Sequence, residues 1–212
     1  RHTRYIGDWS SDVCSSDLNR KEFLPGLIEN TVDSNNLLEL VLVDGGSSDG
    51  TIEYIKKLNH KQIKLIEVGK RSSYPHFMNL GIKNSKFDLV CQWNDDVLLA
   101  NDWNEVINSI DDIHDLYIFN WKYGKRDDIK SPNWLKGEDN KSGWCLCDRY
   151  SEDGEIVVNY GIYRKKIFKK VGMYNTQYNY YYADGDMSFR AKSFGFNNKS
   201  MRNIKEIGRA HV

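Results

Sequence analysis

The sequence predicts an α/β fold with a largely parallel sheet. Short apolar runs and helix-spaced segments alternate from Asn19 to Trp121. Turn clusters rich in Asp, Asn and Gly directly follow the apolar runs, where open α/β sheets bind ligands. The run 37–43 (LLELVLV) is nearly continuous in apolar residues, as a parallel strand buried on both faces requires. A chain of 212 residues suffices for one such domain with its own core.

Residues 19–33 place Phe23, Leu24, Leu27, Ile28 and Val32 at helical spacing, with Pro25 near the start. The strand at 37–43 ends in Asp44-Gly45-Gly46-Ser47-Ser48-Asp49-Gly50, a turn cluster followed by a helix through Lys57. Residues 63–68 predict a second strand, and 73–84 a helix with Pro75 in its first turn. Residues 87–93 predict a third strand ending in Asn94-Asp95-Asp96. A helix at 101–110 and a fourth strand at 116–121 follow. The alternation stops at Lys122. Residues 122–154 are polar and aromatic-rich without a period, the mark of a functional loop or lid. Beyond them come a strand at 156–163, a short helix at 165–170 stopped by Gly172, a Tyr-rich run at 178–182, and a helix at 184–194 stopped by Gly195.

Lys+Arg and Asp+Glu both total 30, which argues against nucleic-acid binding by bulk positive field. Mean hydropathy is −0.66, and no apolar run approaches the roughly 18 residues of a membrane span. Cys14, Cys91, Cys145 and Cys147 form no disulfide framework in a chain this long, which points to a reducing compartment.

The two ends stand apart. Residues 1–18 have neither apolar periodicity nor a signal-peptide layout. Asp12 to Leu18 can be written GAC GTG TGC TCT TCC GAT CTN. With G at the open position, the reverse complement reads Glu-Ile-Gly-Arg-Ala-His-Val, which is residues 206–212. The expectation is translated sequencing adapter at 1–18 and 206–212 of a metagenomic fragment, with 19–205 as the protein proper.

Three clusters can carry chemistry. A strand delivers Asp44 to the crevice, where an acid can accept from a nucleobase N–H or a ribose hydroxyl. Gly45 and Gly46 allow close approach of a ligand, while Ser47, Asp49 and Thr51 can cap the next helix. For Asp49 the capped turn is the preferred reading. The Gly-Lys-Ser/Thr ending of a phosphate-cradling P-loop is absent. In Trp93-Asn94-Asp95-Asp96-Val97 adjacent carboxylates repel, and a divalent cation relieves that cost. Hard oxygen donors suit Mg²⁺ or Mn²⁺. The alternative there is a solvated loop with Asp96 capping the next helix. Asp184 stands at a predicted helix start, where it is either an N-cap or a general base at a cleft. Asp186 and Arg190, four apart, can pair on one helical face. Cys145-Leu146-Cys147 is too closely spaced for half of a usual zinc site. His60, His76 and His114 share no spacing and read as structural. Trp121, Tyr123, Trp134 and Trp144 can stack on sugar rings or pack in the core.

Taken in order, these segments resemble family 2 glycosyltransferases of the GT-A fold. VLVDGGSSDGTIEYIKK is similar to the family's Val-Asp-x-Gly-Ser-x-Asp-Gly-Thr segment, and Phe77-Met78-Asn79-Leu80-Gly81-Ile82 to its Asn-x-Gly-Ile stretch. FDLVCQWNDDVLL is similar to the strand carrying the Asp-x-Asp metal motif. GIYRKKIFKKVGMYNTQYNYYYADGDMSFRAKSFGF is similar to the late segment from Arg-x-x-Phe-x-x-Val-Gly to Glu-Asp-x-Asp-Leu-x-x-Arg.

The resemblance implies a three-layer GT-A sandwich with a nucleotide-binding half at 19–121 and an acceptor and catalytic half at 122–205. It implies that Asp44, Gly45, Ser47, Asn94 and Asp95 contact the nucleotide sugar, with Arg71 helping at the base or phosphates. It puts Asp96 in the place of the metal-binding acid and Asp184 in that of the catalytic base. Asp186, Arg190 and Trp144 become candidates for supporting the base or the acceptor. The implied reaction is inverting, metal-dependent sugar transfer from a nucleotide-diphosphate sugar, first a UDP-sugar. The acceptor is a carbohydrate or glycolipid hydroxyl in polysaccharide or glycoconjugate synthesis, in the cytoplasm or at the inner face of a membrane. Four departures stand out. Asn94 replaces the first Asp of the metal motif, Ala183 the Glu beside the base, and Gly45 a common second Asp. The family's first strand is missing or replaced by adapter-like residues before Asn19. Two alternatives remain open. One is an S-adenosylmethionine methyltransferase, whose glycine loop Val43-Asp44-Gly45-Gly46 also resembles. The other is a non-catalytic sugar-binding module, to which Asn94 and Ala183 lend weight.

The adapter assignment predicts that untrimmed genomic reads stop at the codon junctions 18/19 and 205/206. Continuous coverage across either junction overturns it.

Overall fold

The computed structural model describes residues 9–16, 19–34, 38–95, 97–99, 102–123, 144–146, 161–179 and 182–208. Among these, the strands are β1 (Trp9–Ser16), β2 (Leu40–Asp44), β3 (Ile63–Glu67), β4 (Leu89–Trp93), β5 (Val97–Leu99), β6 (Leu116–Tyr123), β7 (Trp144–Leu146), β8 (Gly161–Arg164) and β9 (Asn198–Gly208). They form one sheet in the order β3-β2-β1-β4-β8-β6-β9-β5, with β7 paired to β6. The helices are α1 (Leu24–Asn30), α2 (Thr51–Leu58), α3 (Tyr74–Asn84), α4 (Trp103–Ser109), α5 (Lys165–Val171) and α6 (Ala183–Ser193).

The first half of the chain follows the expected alternation. β3, β2, β1 and β4 are parallel neighbours. Every residue of β2 and β4 is buried, which is why their sequences are apolar on both faces. Strand alternation divides the core. Leu40, Leu42 and Trp93 join Leu24, Leu27 and Trp103 on one face, while Val43 and Val90 join Phe77, Ala183 and Met187 on the other.

The second half departs from a simple parallel reading. β8 is inserted antiparallel between β4 and β6, and β9 returns parallel to β6. The three-residue β5 follows directly on the acidic turn, and α4 begins at Trp103, capped by Asp102 accepting from the Asn104 N–H. The cap of that helix is thus Asp102, and Asp96 lies outside the described residues. Residues 124–143 and 147–160, the core of the expected lid, lie outside the described residues, as does the start of the strand expected at 156–163.

Residues 9–16, which the codon relation sets apart, form the central strand. Val13 lies opposite Val41 of β2, and Cys14 opposite Trp93 of β4. The slot expected to be missing or replaced is thus occupied. A parallel ladder is made by main-chain groups, so an extended segment of almost any sequence can complete it.

At the amino-terminal rim of the sheet, Asp111 ties three strands together. Its Oδ1 accepts from the N–H groups of Ile113 (3.1 Å) and His114 (2.9 Å), and the Lys199 ammonium donates to Oδ2 (3.0 Å). Its carbonyl accepts from the Tyr117 hydroxyl (2.7 Å) and from Arg164 Nη2 (2.5 Å). Burial pushes the carboxyl up, but the bonds from His114, Lys199 and Ile113 outweigh it and hold Asp111 well below the usual aspartate range. His114 belongs to this network, in keeping with its structural reading.

A carboxyl whose pKa is lowered by folding stabilises the fold above its unfolded value and loses that contribution as pH falls towards the folded value. Asp111→Ala is therefore expected to cost about 2–3 kcal/mol at pH 7, on the scale of charge-assisted bonds. Urea denaturation should show that penalty shrinking below about pH 4, the unfolded aspartate value.

Candidate functional site

β2, β1 and β4 end at the same carboxyl rim, which brings the turns after Asp44 and after Trp93 side by side around the start of the 19–23 segment. Asp44 is 1% exposed. Its carboxylate accepts from the Gly46 N–H (2.6 Å), the Ser47 N–H (2.9 Å) and the Ser47 hydroxyl (2.5 Å). Gly46 has φ +100°, and a Cβ there would lie 2.9 Å from the carbonyl carbon of Gly69. Gly45 faces the Phe77 ring and the backbone of Arg71, so residue 71 is beside the turn through its main chain, with its side chain exposed. Asp49 makes the capped turn, accepting from the Thr51 N–H (3.0 Å) and hydroxyl (2.6 Å). Burial raises the Asp49 carboxyl, but the Thr51 hydroxyl and the N–H groups of Lys21 and Thr51 outweigh it and leave it lowered.

Asn19 and Arg20 bridge the two acidic turns, a role the sequence did not signal. The Asn19 N–H donates to Ser47 Oγ (3.1 Å), and Asn19 Oδ1 accepts from the Ser48 N–H (2.9 Å). The Arg20 guanidinium lies over the Phe23 ring, and its Nε is 3.7 Å from Asp95 Oδ2. Asp95 is 4% exposed, so this cation sits against a buried carboxylate. An open cleft of about 520 Å³, lined by Lys21, Pro25, Asp49 and Tyr54 among others, flanks the bridge. The acidic turn is fastened from below. Trp93 Nε1 donates to the Val97 carbonyl (2.8 Å), and the Asn30 amide both donates to and accepts from Leu99. Asp96 lies outside the described residues, and those residues contain no cluster of three side chains able to ligate a metal. Asn94 and Asp95 are the oxygen donors seen at the expected position.

Asp184 lies on α6, which packs through Ala183 and Met187 on the face of the sheet that carries Val43 and Val90. The residue before the helix, Tyr182, has φ +72°, a left-handed conformation unusual for a bulky side chain, and is 77% exposed. Burial raises the Asp184 carboxyl above the usual aspartate value, opposed only by backbone N–H bonds from Gly185 and its own residue. Asp184 and the buried Tyr174 lie close enough to act on each other electrostatically. Tyr174 in turn donates its hydroxyl to Gln92 of β4, two residues before Asn94. Asp186 pairs with Arg190 at 2.8 Å on the expected helical face. Trp144 lies opposite Lys122 in β7, and its side chain is outside the described residues. The rim thus gathers Asp44, Ser47, Asn94 and Asp95 around Asn19 and Arg20, with Asp184 linked through Tyr174 and Gln92.

A family model described as Glycosyl transferase family 2 matches residues 16–194. No curated protein matches the chain. The mannosyltransferase PcManGT from Pyrobaculum calidifontis, solved with GDP-Man and Mn²⁺, superposes with a TM-score of 0.68 at 15% identity. It is matched over 96% of this chain and 57% of its own. TarS from S. aureus superposes with a TM-score of 0.65 at 14% identity, over 95% of this chain and 36% of its own. The chain therefore spans little more than half, or less, of these neighbours' lengths. The fold is GT-A, as the resemblance implied, and the methyltransferase reading of the glycine loop has no support in these matches.

The Asp44 turn has one position where a side chain is excluded on two counts, φ and space. Gly46→Ala is expected to destabilise the protein by about 2 kcal/mol or more in a denaturation experiment. Gly185→Ala, with nothing within 4 Å, is expected to be neutral or mildly stabilising.

Proposed function

The chain belongs to glycosyl transferase family 2, and on that premise we propose that its carboxyl rim is the donor site of an inverting glycosyltransferase with Asp184 as the base. One observation carries the proposal. Asp184 is a half-buried acid with a raised pKa, linked through Tyr174 and Gln92 to the strand that ends in Asn94-Asp95. A base of raised pKa takes a proton more readily while remaining ionised at neutral pH. In the step proposed, the acceptor hydroxyl gives its proton to the Asp184 carboxylate. Its oxygen bonds to the anomeric carbon, and the bond to the nucleoside diphosphate breaks on the opposite face, inverting the centre.

The donor is a nucleotide-diphosphate sugar. A carboxylate offers about four acceptor sites, and three at Asp44 are used by its own turn. The remainder suits a single N–H or hydroxyl of the base or ribose, with Gly45 and Ser47 shaping the wall and Arg71 near the phosphates. A divalent cation held by Asp96 with Asn94 and phosphate oxygens would offset the charge growing on the leaving diphosphate. The hard oxygen donors of this turn fit Mn²⁺ or Mg²⁺, and the P. calidifontis neighbour was solved with GDP-Man and Mn²⁺. UDP-sugars and GDP-mannose are the donor classes to assay, with carbohydrate or glycolipid hydroxyls as acceptors. No helix among the described residues is long and apolar enough to cross a membrane. A cytoplasmic site of action, at or near a membrane face, is part of the same proposal.

UDP or GDP with Mn²⁺ should raise Tm, and chelation should remove the effect. Asp184→Asn should keep that shift while lowering kcat by about 10²–10⁴-fold. Because the base must be ionised and burial raises its pKa, the acid limb of the wild-type rate should lie above the ordinary aspartate value of 3.8. Full transfer by Asp184→Asn removes the residue from this role.

A further inference from the structure

Between α5 and α6 the chain turns back over the sheet through residues 172–179, without helix or strand. This turn is pinned from three directions. Asn79 of α3 uses both ends of its amide on one residue: Nδ2 donates to the Tyr174 carbonyl (2.8 Å), and Oδ1 accepts from the Tyr174 N–H (2.9 Å). The Tyr174 hydroxyl donates to Gln92 Oε1 of β4. Arg190 of α6 donates to the carbonyls of Val171 (2.5 Å) and Met173 (3.0 Å). Tyr174 is 3% exposed and packs against Phe168 and Tyr74.

The amide pair imitates one step of a strand ladder where no strand is available. Of the common side chains, Asn and Gln alone carry both a donor and an acceptor in this planar form; Asp lacks the donor. The loop is thereby fixed to α3 and β4, the elements beneath the rim, rather than only to the helix it precedes. We infer that Asn79 and Gln92, acting through Tyr174, are positioning residues that hold the Asp184-bearing start of α6 over the end of β4. The inference rests on Asp184 being the base.

Two features support it. Desolvation, not a neighbouring charge, is the main influence on Asp184, and Tyr174, the buried residue of this loop, lies within electrostatic reach of it. Among the described residues, the groups near it are Tyr174 itself, backed by Tyr163 of β8 and Tyr74 of α3; on α6, Asp186 is engaged by Arg190. None of these supplies a cation to Asp184.

The test is a carbon-detected NMR titration of the Asp184 carboxyl in ¹³C-aspartate-labelled protein, assigned with Asp184→Asn. Asn79→Ala and Tyr174→Phe should each move the midpoint down towards the ordinary aspartate value as water enters. Asp111→Ala, which weakens the opposite rim, should lower Tm and leave the midpoint unmoved. In transfer assays Asn79→Ala should lower kcat about tenfold or more with donor KM unchanged, as small misplacement of a base does. If both clamp variants lower Tm and leave the midpoint in place, the clamp is structural only and the inference fails. Should Asn79→Ala not fold, Tyr174→Phe, which deletes a single hydroxyl, decides alone. Retained transfer by Asp184→Asn would defeat the base reading separately, since the titration does not depend on turnover.

Discussion

The site depends on three parallel strands reaching the edge of the sheet together. Inside the sheet, β2 and β4 are buried on both faces and admit almost only apolar side chains. Polar chemistry can begin only where a strand leaves its neighbours. Asp44 and Asn94-Asp95 stand at that point because of the ladder register, and the 19–23 segment fills the space between their turns. Carboxylates at such an edge are too buried to rely on water. Asp44 is met by three donors of its own turn, and Asp95 faces the Arg20 guanidinium. The same bonds that satisfy the acids stiffen the loops around them, so electrostatic satisfaction and preorganisation are one arrangement here.

What could be read from the sequence follows from the range of the forces involved. β2, β3, β4 and α2, α3, α5 and α6 are written in local periodicity, and their turns in Gly and Asp chemistry. Gly172 and Gly195 do end their helices at positive φ, and Asp186 does meet Arg190 one turn on. The antiparallel insertion of β8 was not legible, because Gly161–Arg164 carries nothing in its side chains that encodes direction. β5 is three residues long and gives no period. The clamp was invisible for another reason: Asn79 lies in a recognisable stretch, but its partner Tyr174 is 95 residues away. Arg20 likewise has no local signature, since its meaning comes only from Asp95.

β1 illustrates the division between backbone and side-chain information. It lies between β2 and β4 with parallel pairing on both sides, including one irregularity between Ser11 and Val13. Main-chain donors and acceptors left open in the middle of a sheet are costly, so the slot selects for an extended chain before it selects for a sequence. The family match begins at residue 16, the last residue of this strand.

Burial and donor supply together set Asp184, the proposed base, apart from Asp49 and Asp111. Asp49 is exposed and Asp111 part-buried, and each accepts several bonds, from Thr51 and Lys21 in one case and from His114, Ile113 and Lys199 in the other. Both are held ionised. Asp184 is much more deeply desolvated than either, is met among the described residues by backbone N–H bonds, and its pKa moves the opposite way. An acid that is over-supplied with donors is a poor proton acceptor, because accepting the proton breaks bonds already made. An acid that is buried and under-supplied gains by protonation. The replacement of a neighbouring Glu by Ala183 spares Asp184 a second negative charge. Desolvation is thus the cause that raises the Asp184 pKa, and on the proposed function a raised pKa favours taking the acceptor's proton.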